Sequence, residues 1–399
     1  MKRISLKLIY KIVLVSCLIT TFSCKKLFDV PPKDQVDVTN NYRNVYDANA
    51  AVIGIYGKLM GIADRYIVLN ELRADLMSPT ANADIYLRQL NEHSATTDNP
   101  WTDPRPFYNI ILSCNDAMKN FDIMLKDAKM TEIDYQQRYS DVGAIRCWVY
   151  LQLGIQYGSI PYVTDALSSV DDLKDAAKFP KITFDQLLDK LIAFMSDGKR
   201  YLDVYPTTSS VTGATNTSLN TTVDGYSTNL FFINKRILLG DLYLWKGDYT
   251  KASENYIYVM DTGFRNNPTG SAGFGNLSFW QYKMTDQPAY QVAYSNAQDE
   301  RSLAYNNITG WQSMFSRPNQ DTDANAEWIW TIPFDKNFLP VDPFIDLFSN
   351  QGGRYLLTSS QLALDNWDSQ MQRNGFPYDE RGRLSVKTIN GQPVIMKQL

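Results

Sequence analysis

Few side chains in this sequence could combine into a catalytic site. Histidine occurs once, as His93 in a polar loop, so a Ser-His-Asp arrangement has one candidate base and a paired-histidine zinc site cannot form. The motifs G-x-S-x-G, H-E-x-x-H and C-x-x-C and the phosphate-binding loop are all missing from the sequence. A carboxylate pair of the kind that glycosidases use stays open, because the chain has 43 acidic residues. The motifs give no indication of a cofactor.

Aromatic rings in loops are the better candidates for binding a ligand. An aromatic ring stacks on the apolar face of a pyranose, while Asn, Asp, Gln or Arg side chains bond the sugar hydroxyls. The loop candidates for stacking are Trp101, Trp280, Tyr282 and Trp311, with Arg105, Asn306 and Asn307 as polar companions. Trp148 and Trp245 fall within helical patterns, and Trp328 and Trp330 alternate with Ile332 as in a strand. These four tryptophans are therefore predicted to pack in the core.

One acidic run has the alternating oxygen ligands with which a calcium loop begins. Asp321, Asp323, Asn325 and Glu327 have the required spacing, but alanine stands at the glycine position and isoleucine at the closing glutamate position. The run is therefore predicted to be a solvated loop, and no metal is expected.

Cysteine usage points to thiols that pack as small apolar groups. Cys114 and Cys147 lie among apolar residues at helical spacing, which predicts free, buried thiols. A disulfide between them stays open, because a secreted chain meets an oxidising environment.

The first 23 residues have the layout of a secretory signal. Four basic residues precede the apolar stretch 12–19, which is too short to span a membrane, and Ser23 stands before Cys24. We predict cleavage before Cys24 and lipid attachment to its thiol. Loss of the segment 1–23, which has four basic and no acidic residues, shifts the formal net charge from −4 to −8. An acidic surface of this kind does not favour nucleic acid as a partner.

The mature chain divides into a tether, a helical body and a less regular part. Residues 24–40 contain two prolines among charges and predict an extended tether. Helical periodicity then recurs in pairs through residues 41–263, whereas residues 264–399 begin with a Gly- and Asn-rich loop and show few helices. We predict a mainly α fold, with helical repeats wrapped by an irregular region that has a few short strands.

The segment NKRILLGDLYLWKGDYTKASENY matches the tetratricopeptide pattern. The matching positions are Leu239, Gly240, Tyr243, Gly247, Tyr249, Ala252 and Tyr256. Gly240 would let two helices approach closely, and Gly247 would turn the chain between them. A helical-repeat scaffold is therefore predicted for the body.

The order of segments resembles the SusD/RagB family, the surface nutrient-binding lipoproteins of Bacteroidetes glycan-uptake systems. The resemblance covers essentially the whole mature chain. It is carried by CKKLFDVPPKD, AAVIGIY, ELRADL, FYNIILSCND, AIRCWVYLQLGIQYGSIPYVTDAL, NKRILLGDLYLWKGDYTKA, WQSMF, EWIWTIPFD and YDERGRLSVKT.

This resemblance implies a non-enzymatic protein that is lipid-anchored in the outer membrane and faces the exterior. It would bind oligosaccharide and pass it to a SusC-like, TonB-dependent barrel transporter. The family commonly has an aromatic residue near the Trp101 region and others in the irregular half. Similar proteins continue with a further helical pair, so a chain that stops at Leu399 is expected to lack its C-terminal end. A peptide-binding member of the family and a helical-repeat scaffold for protein partners remain alternatives.

Overall fold

The computed structural model describes residues 42–167, 169–175, 177–197, 219, 222–223, 226–227, 231–265, 330, 332, 334, 339–371, 382 and 385–396. The chain divides into two compact units, Met1–Arg43 and Asn44–Leu399, and all the elements below belong to the second.

The described part of the chain is mainly helical. Its α-helices are α1 (Val45–Met60), α2 (Ala63–Ile67), α3 (Ile85–Asn91), α4 (Arg105–Lys126), α5 (Glu132–Tyr157), α6 (Phe184–Met195), α7 (Lys235–Lys246), α8 (Tyr249–Arg265), α9 (Phe344–Phe348) and α10 (Gln361–Ser369). A π-helix spans Val68–Leu72, and short 3-10 helices span Pro100–Thr102 and Val170–Lys174. The strands are β1 (Met77–Pro79), β2 (Ile160–Pro161), β3 (Lys181–Ile182), β4 (Thr222–Val223), β5 (Tyr226–Ser227), β6 (Leu357–Ser359), β7 (Val386–Ile389) and β8 (Gln392–Ile395). None of the described helices is both long and apolar enough to cross a membrane.

Side-chain caps set where several helices begin. The sequence pattern predicts Asp47 as the cap of α1, but Asn44 caps this helix by accepting hydrogen bonds from the backbone N–H groups of Tyr46 and Asp47. Thr131 caps α5 in the same way. Thr183 and Gln186 form a reciprocal capping box at the start of α6.

Helix α5 lies at the centre of the bundle and packs against α1, α4, α6 and α7. Its burial extends all round, which is the pattern of a helix with neighbours on every side. Cys114 on α4 and Cys147 on α5 are buried and free, as predicted, and burial raises the pKa of both thiols to about 12. Both groups therefore stay protonated and pack as small apolar side chains.

Glycines allow close contact within the repeat pairs. A Cβ added to Gly154 on α5 would lie 2.4 Å from Cδ2 of Phe184 on α6, and one added to Gly240 on α7 would lie 2.5 Å from Cε1 of Tyr256 on α8. Gly247 turns the chain between α7 and α8 with a φ of +83°. The predicted tetratricopeptide-like pair and the mainly α fold class are thus confirmed.

Two secondary-structure predictions that follow from local sequence patterns are wrong. Apolar residues at helical spacing from Leu69 onward predict a helix that stops at Pro79, but the structure has a π-helix that ends at Leu72, followed by strand β1. Asp75 adopts a left-handed φ of 59°, and β1 pairs antiparallel with β6, so a long-range pairing replaces helix there. The sequence pattern from Ile389 to Met396 predicts a single strand, but the structure has a hairpin of β7 and β8 there, because Asn390 and Gly391 adopt the two positive φ values of a tight turn.

A buried charge network joins three helices of the bundle. Nζ of Lys235 on α7 donates to Oδ1 of Asp141 on α5 at 2.5 Å, and both side chains are almost completely buried. One turn earlier, the fully buried Arg138 donates to Oδ1 of Asn49 on α1 at 2.7 Å and to Asp134 at 3.0 Å. Burial raises the pKa of Asp141 and lowers that of Lys235, and their ion pair opposes both shifts.

Candidate functional site

The Trp101 loop, defined here as residues 99–105, connects α3 to α4 through a 3-10 turn. Asn99 fixes this loop from the inside. Its side chain is almost fully buried, its Oδ1 accepts from the Trp101 N–H at 3.0 Å, and its Nδ2 donates to the carbonyl of Tyr86 and to Oε1 of Gln89, both at 3.0 Å. The loop is therefore attached to α3 by a satisfied buried amide.

Arg65 on α2 holds the same loop from the other side. Its Nη1 donates to the carbonyl oxygens of Pro100 at 2.7 Å and Trp101 at 2.5 Å, and its guanidinium carbon lies 5.9 Å from the centre of the Trp101 ring. Trp101 is half-buried, so part of its indole remains accessible to solvent. The structure thus presents an aromatic ring whose backbone and position are fixed before any ligand binds.

Charged groups lie at the end of the loop where α4 begins. Arg105 donates through Nε to both carboxylate oxygens of Asp103, at 3.0 and 2.9 Å, and through Nη2 at 2.8 Å. The hydrogen bonds from Arg105 are the main reason why the pKa of Asp103 is lowered. Arg105 is exposed, so this segment offers both donors and acceptors beside the tryptophan.

Tyr157, the last residue of α5, lies within the electrostatic reach of Arg65 and Asp103. Its hydroxyl is buried and has no hydrogen-bond partner among the described residues. Desolvation raises its pKa to about 12, so the hydroxyl stays protonated. Arg73, the residue that follows the π-helix, donates to Oε1 of Gln156 at 2.7 Å. This hydrogen bond links the end of the π-helix to the end of α5.

The sequence predicted Trp101 and Arg105 as ligand-binding residues, and the structure places both on one loop. It did not predict Arg65, Asn99 and Tyr157, which lie around that loop. Arg65 and Asn99 act on the loop through backbone and amide groups, which leave no periodic signal in a sequence. Only the asparagine directly before a proline could have suggested a cap at this position.

The other described tryptophans divide into packed and exposed residues. The ring centroid of Trp148 lies 5.3 Å from that of Tyr66 and 5.7 Å from that of Trp330. Nε1 of Trp330 donates to the carbonyl of Phe231 at 3.0 Å. Trp148 and Trp330 thus pack against other aromatic rings, but both are only partly buried, and Trp330 lies in no strand. Trp245 contradicts its predicted core position, because it remains 51% exposed near the end of α7.

Several predicted sites lie outside the described residues. They are Cys24, Trp280, Tyr282, Asn306, Asn307, Trp311, Trp328 and the acidic run 321–327. His93 is exposed, with a left-handed φ of 53° just after α3. Within the described ranges, no three His, Cys, Asp or Glu side chains are grouped to hold a metal ion.

No protein-family model and no curated protein sequence matches the chain. Solved structures do. A SusD superfamily protein from Bacteroides thetaiotaomicron, 16% identical in sequence, superposes with a TM-score of 0.58 over 89% of this chain and 70% of its own length. A SusD superfamily protein from Bacteroides vulgatus, also 16% identical, gives 0.57 over 88% of this chain and 63% of its own.

A third structure, a SusD homolog from Bacteroides thetaiotaomicron, is 14% identical and gives a TM-score of 0.53 over 89% of this chain and 68% of its own length. The chain therefore spans between 63% and 70% of the length of these three proteins. Such identities support a statement about fold, and the statement agrees with the motifs in the sequence. The chain therefore has the fold of these SusD superfamily proteins.

Proposed function

We propose that this chain is a non-enzymatic surface lipoprotein that binds oligosaccharide at the Trp101 loop and passes it to a TonB-dependent outer-membrane transporter. The observation that carries the proposal is the fixed, half-exposed ring of Trp101. Asn99 and Arg65 hold the loop from two sides before any sugar is present. A ring that is already ordered loses little entropy on binding, which favours affinity.

The rim of this loop fits the polar half of a sugar site. Asp103 and Arg105 offer charged acceptors and donors within a few residues of the ring. Stacking on an indole satisfies the apolar face of a pyranose, while hydroxyls at its edge require partners of both kinds. The SusD-like fold supports the same conclusion by analogy of fold.

Trp101→Ala is expected to weaken binding of the preferred glycan about tenfold, or ~1.4 kcal/mol, because it removes the stacking face. Isothermal titration against a panel of soluble polysaccharides would measure this change, with Trp101→Phe retaining much of the affinity. Trp367→Ala is the matched control, because Trp367 is a half-buried tryptophan on α10.

Equal affinity of Trp101→Ala and the wild-type protein for every glycan would refute a stacking role for this loop. If no glycan binds the wild-type protein but a barrel transporter co-purifies with it, the peptide-binding or scaffold alternative takes its place.

The anchor at Cys24 is a separate part of the proposal and rests on the sequence pattern before that residue. Cys24→Ala is expected to abolish incorporation of a labelled fatty acid, because it removes the thiol to which the lipid is predicted to be attached. Metabolic labelling followed by immunoprecipitation measures this, and Cys114→Ala serves as the control because its thiol is buried. Labelling that persists in Cys24→Ala would contradict the predicted anchor.

A further inference from the structure

Trp245 is an exposed aromatic residue on the helical body, away from the Trp101 loop in sequence and in fold. Its ring meets the ring of Phe184 edge to face, with centroids 5.7 Å apart and planes at 73°, and half of its surface remains exposed. Phe184 is itself packed so closely on Gly154 that no Cβ fits between them. The phenyl ring on which the indole packs therefore has little room to move.

Charged residues follow both rings in the sequence, Lys246 after Trp245 and Asp185 after Phe184. Lys246, the next residue on α7, donates from Nζ to Oδ1 of Asp185 and to Oδ1 of Asp189, each at 2.7 Å. The two carboxylates are one turn apart on α6, and their side chains are 74% and 60% exposed. An ammonium has three donors and each carboxylate has a second oxygen, so the group retains capacity to donate and to accept.

We propose that Trp245, with Lys246, Asp185 and Asp189 beside it, forms an additional stacking site for neutral oligosaccharide on the helical body. A flat ring bordered by donors and acceptors satisfies both the apolar face and the hydroxyl edge of a pyranose. The three charged groups sum to one negative charge, which disfavours an acidic sugar.

A protein partner fits this surface less well. The centre of a protein interface is depleted of charged residues and a stable one buries ~800 Å² on each side, whereas half of one indole supplies only about 100 Å². Here three charged side chains lie on the same two helices as the Trp245–Phe184 ring pair, and Trp245 is the most exposed tryptophan of the described residues. Leu244 and Tyr249 are also exposed, but the charged residues Lys246 and Asp248 stand between Trp245 and Tyr249 in the sequence.

The inference takes the class of its ligand, oligosaccharide, from the proposed function. It does not require that the Trp101 loop binds sugar. Hydroxyl-radical footprinting of the full chain, read by mass spectrometry, reports each tryptophan separately. The probes are neutral soluble α-glucan, β-glucan, mannan and xylan. We expect a bound polysaccharide to protect both Trp101 and Trp245 from oxidation, and Trp245 to remain protected in Trp101→Ala.

In affinity electrophoresis, Trp245→Ala is expected to lower retention by the same polysaccharide about tenfold in the Trp101→Ala background. Trp245→Phe should restore much of it, because a ring remains to stack. Leu244→Ala is the matched control, because Leu244 is equally exposed at 46% but has no flat face, so retention should not change.

The outcomes separate the two proposals. Protection of Trp101 alone overturns the inference and leaves the proposed function standing, and protection of Trp245 alone does the reverse. Protection of neither residue by any of the polysaccharides overturns both. Equal losses of retention in Leu244→Ala and Trp245→Ala would show that binding does not depend on a stacking ring and would overturn the sugar site. Protection of Trp245 by a co-purifying protein and by none of the polysaccharides would overturn it as well and would identify a protein-docking surface.

Discussion

Replacing Lys235 by methionine is expected to lower the free energy of unfolding by about 3–5 kcal/mol. The change removes the cation that lies 2.5 Å from Oδ1 of Asp141 and leaves a buried carboxylate without it. Burial already raises the pKa of Asp141, and its Oδ2 has no hydrogen-bond partner among the described residues. Urea unfolding followed by circular dichroism would give the loss as a lower midpoint at unchanged slope.

The double substitution Asp141→Leu with Lys235→Met is the decisive control. It removes both charges and fills the space with apolar groups, so we expect most of the lost stability to return. Arg138 retains Asp134 and Asn49 in that variant. Lys246→Met tests the surface counterpart, because Lys246 also bonds aspartates at 2.7 Å but is partly exposed and both of its carboxylate partners are largely exposed. Little change in stability is expected. A double variant as unstable as Lys235→Met alone would contradict this account of the pair.

The buried pair also joins parts of the bundle that are far apart in the chain. Asp141 lies on the central helix α5, whereas Lys235 is the first residue of α7. A buried ionic pair fixes the relative placement of two helices more narrowly than apolar contacts do, because a small displacement separates the charges. We therefore expect Lys235 to set how the repeat pair α7 and α8 docks on α5.

Local signals in the sequence predicted much of the helical body. Thr131 and Gly247 mark where one helix begins and another ends, and both positions depend only on neighbouring backbone groups. The pairing of β1 with β6 could not be predicted, because Met77 and Ser359 meet across almost the whole described chain. No local periodicity encodes such a contact.

The candidate sites also combine features that the local sequence predicts with features that depend on tertiary packing. Trp101 could be proposed from its position between prolines in a polar loop. The hydrogen bonds from Arg65 to the carbonyl oxygens of Pro100 and Trp101 could not, because they depend on how α2 packs. Trp245 has helical spacing and was therefore placed in the core. In the structure it contacts Phe184 and yet remains 51% exposed, which the sequence does not reveal.

Gly240→Leu is expected to lower the free energy of unfolding by about 3 kcal/mol, at the upper end of the range for overpacked cores. Its Cβ alone would lie 2.5 Å from Cε1 and 2.8 Å from Cδ1 of Tyr256. That ring cannot swing away freely, because its hydroxyl donates to Oδ1 of Asp241 at 2.6 Å. The substitution therefore forces α7 and α8 apart, and urea unfolding would show the loss.

Gly54→Leu on α1 is the matched control for this prediction. Nothing lies within 4 Å of a Cβ at Gly54, so leucine there should raise stability by about 0.5–1 kcal/mol through its better helix propensity. Tyr256→Ala is the second substitution of a double-mutant cycle, because removal of the tyrosine ring makes room for the leucine at position 240. In a double-mutant cycle, Gly240→Leu should then cost much less than it does beside the intact tyrosine. Additive losses would mean that the contact between Gly240 and Tyr256 does not hold the repeat pair together.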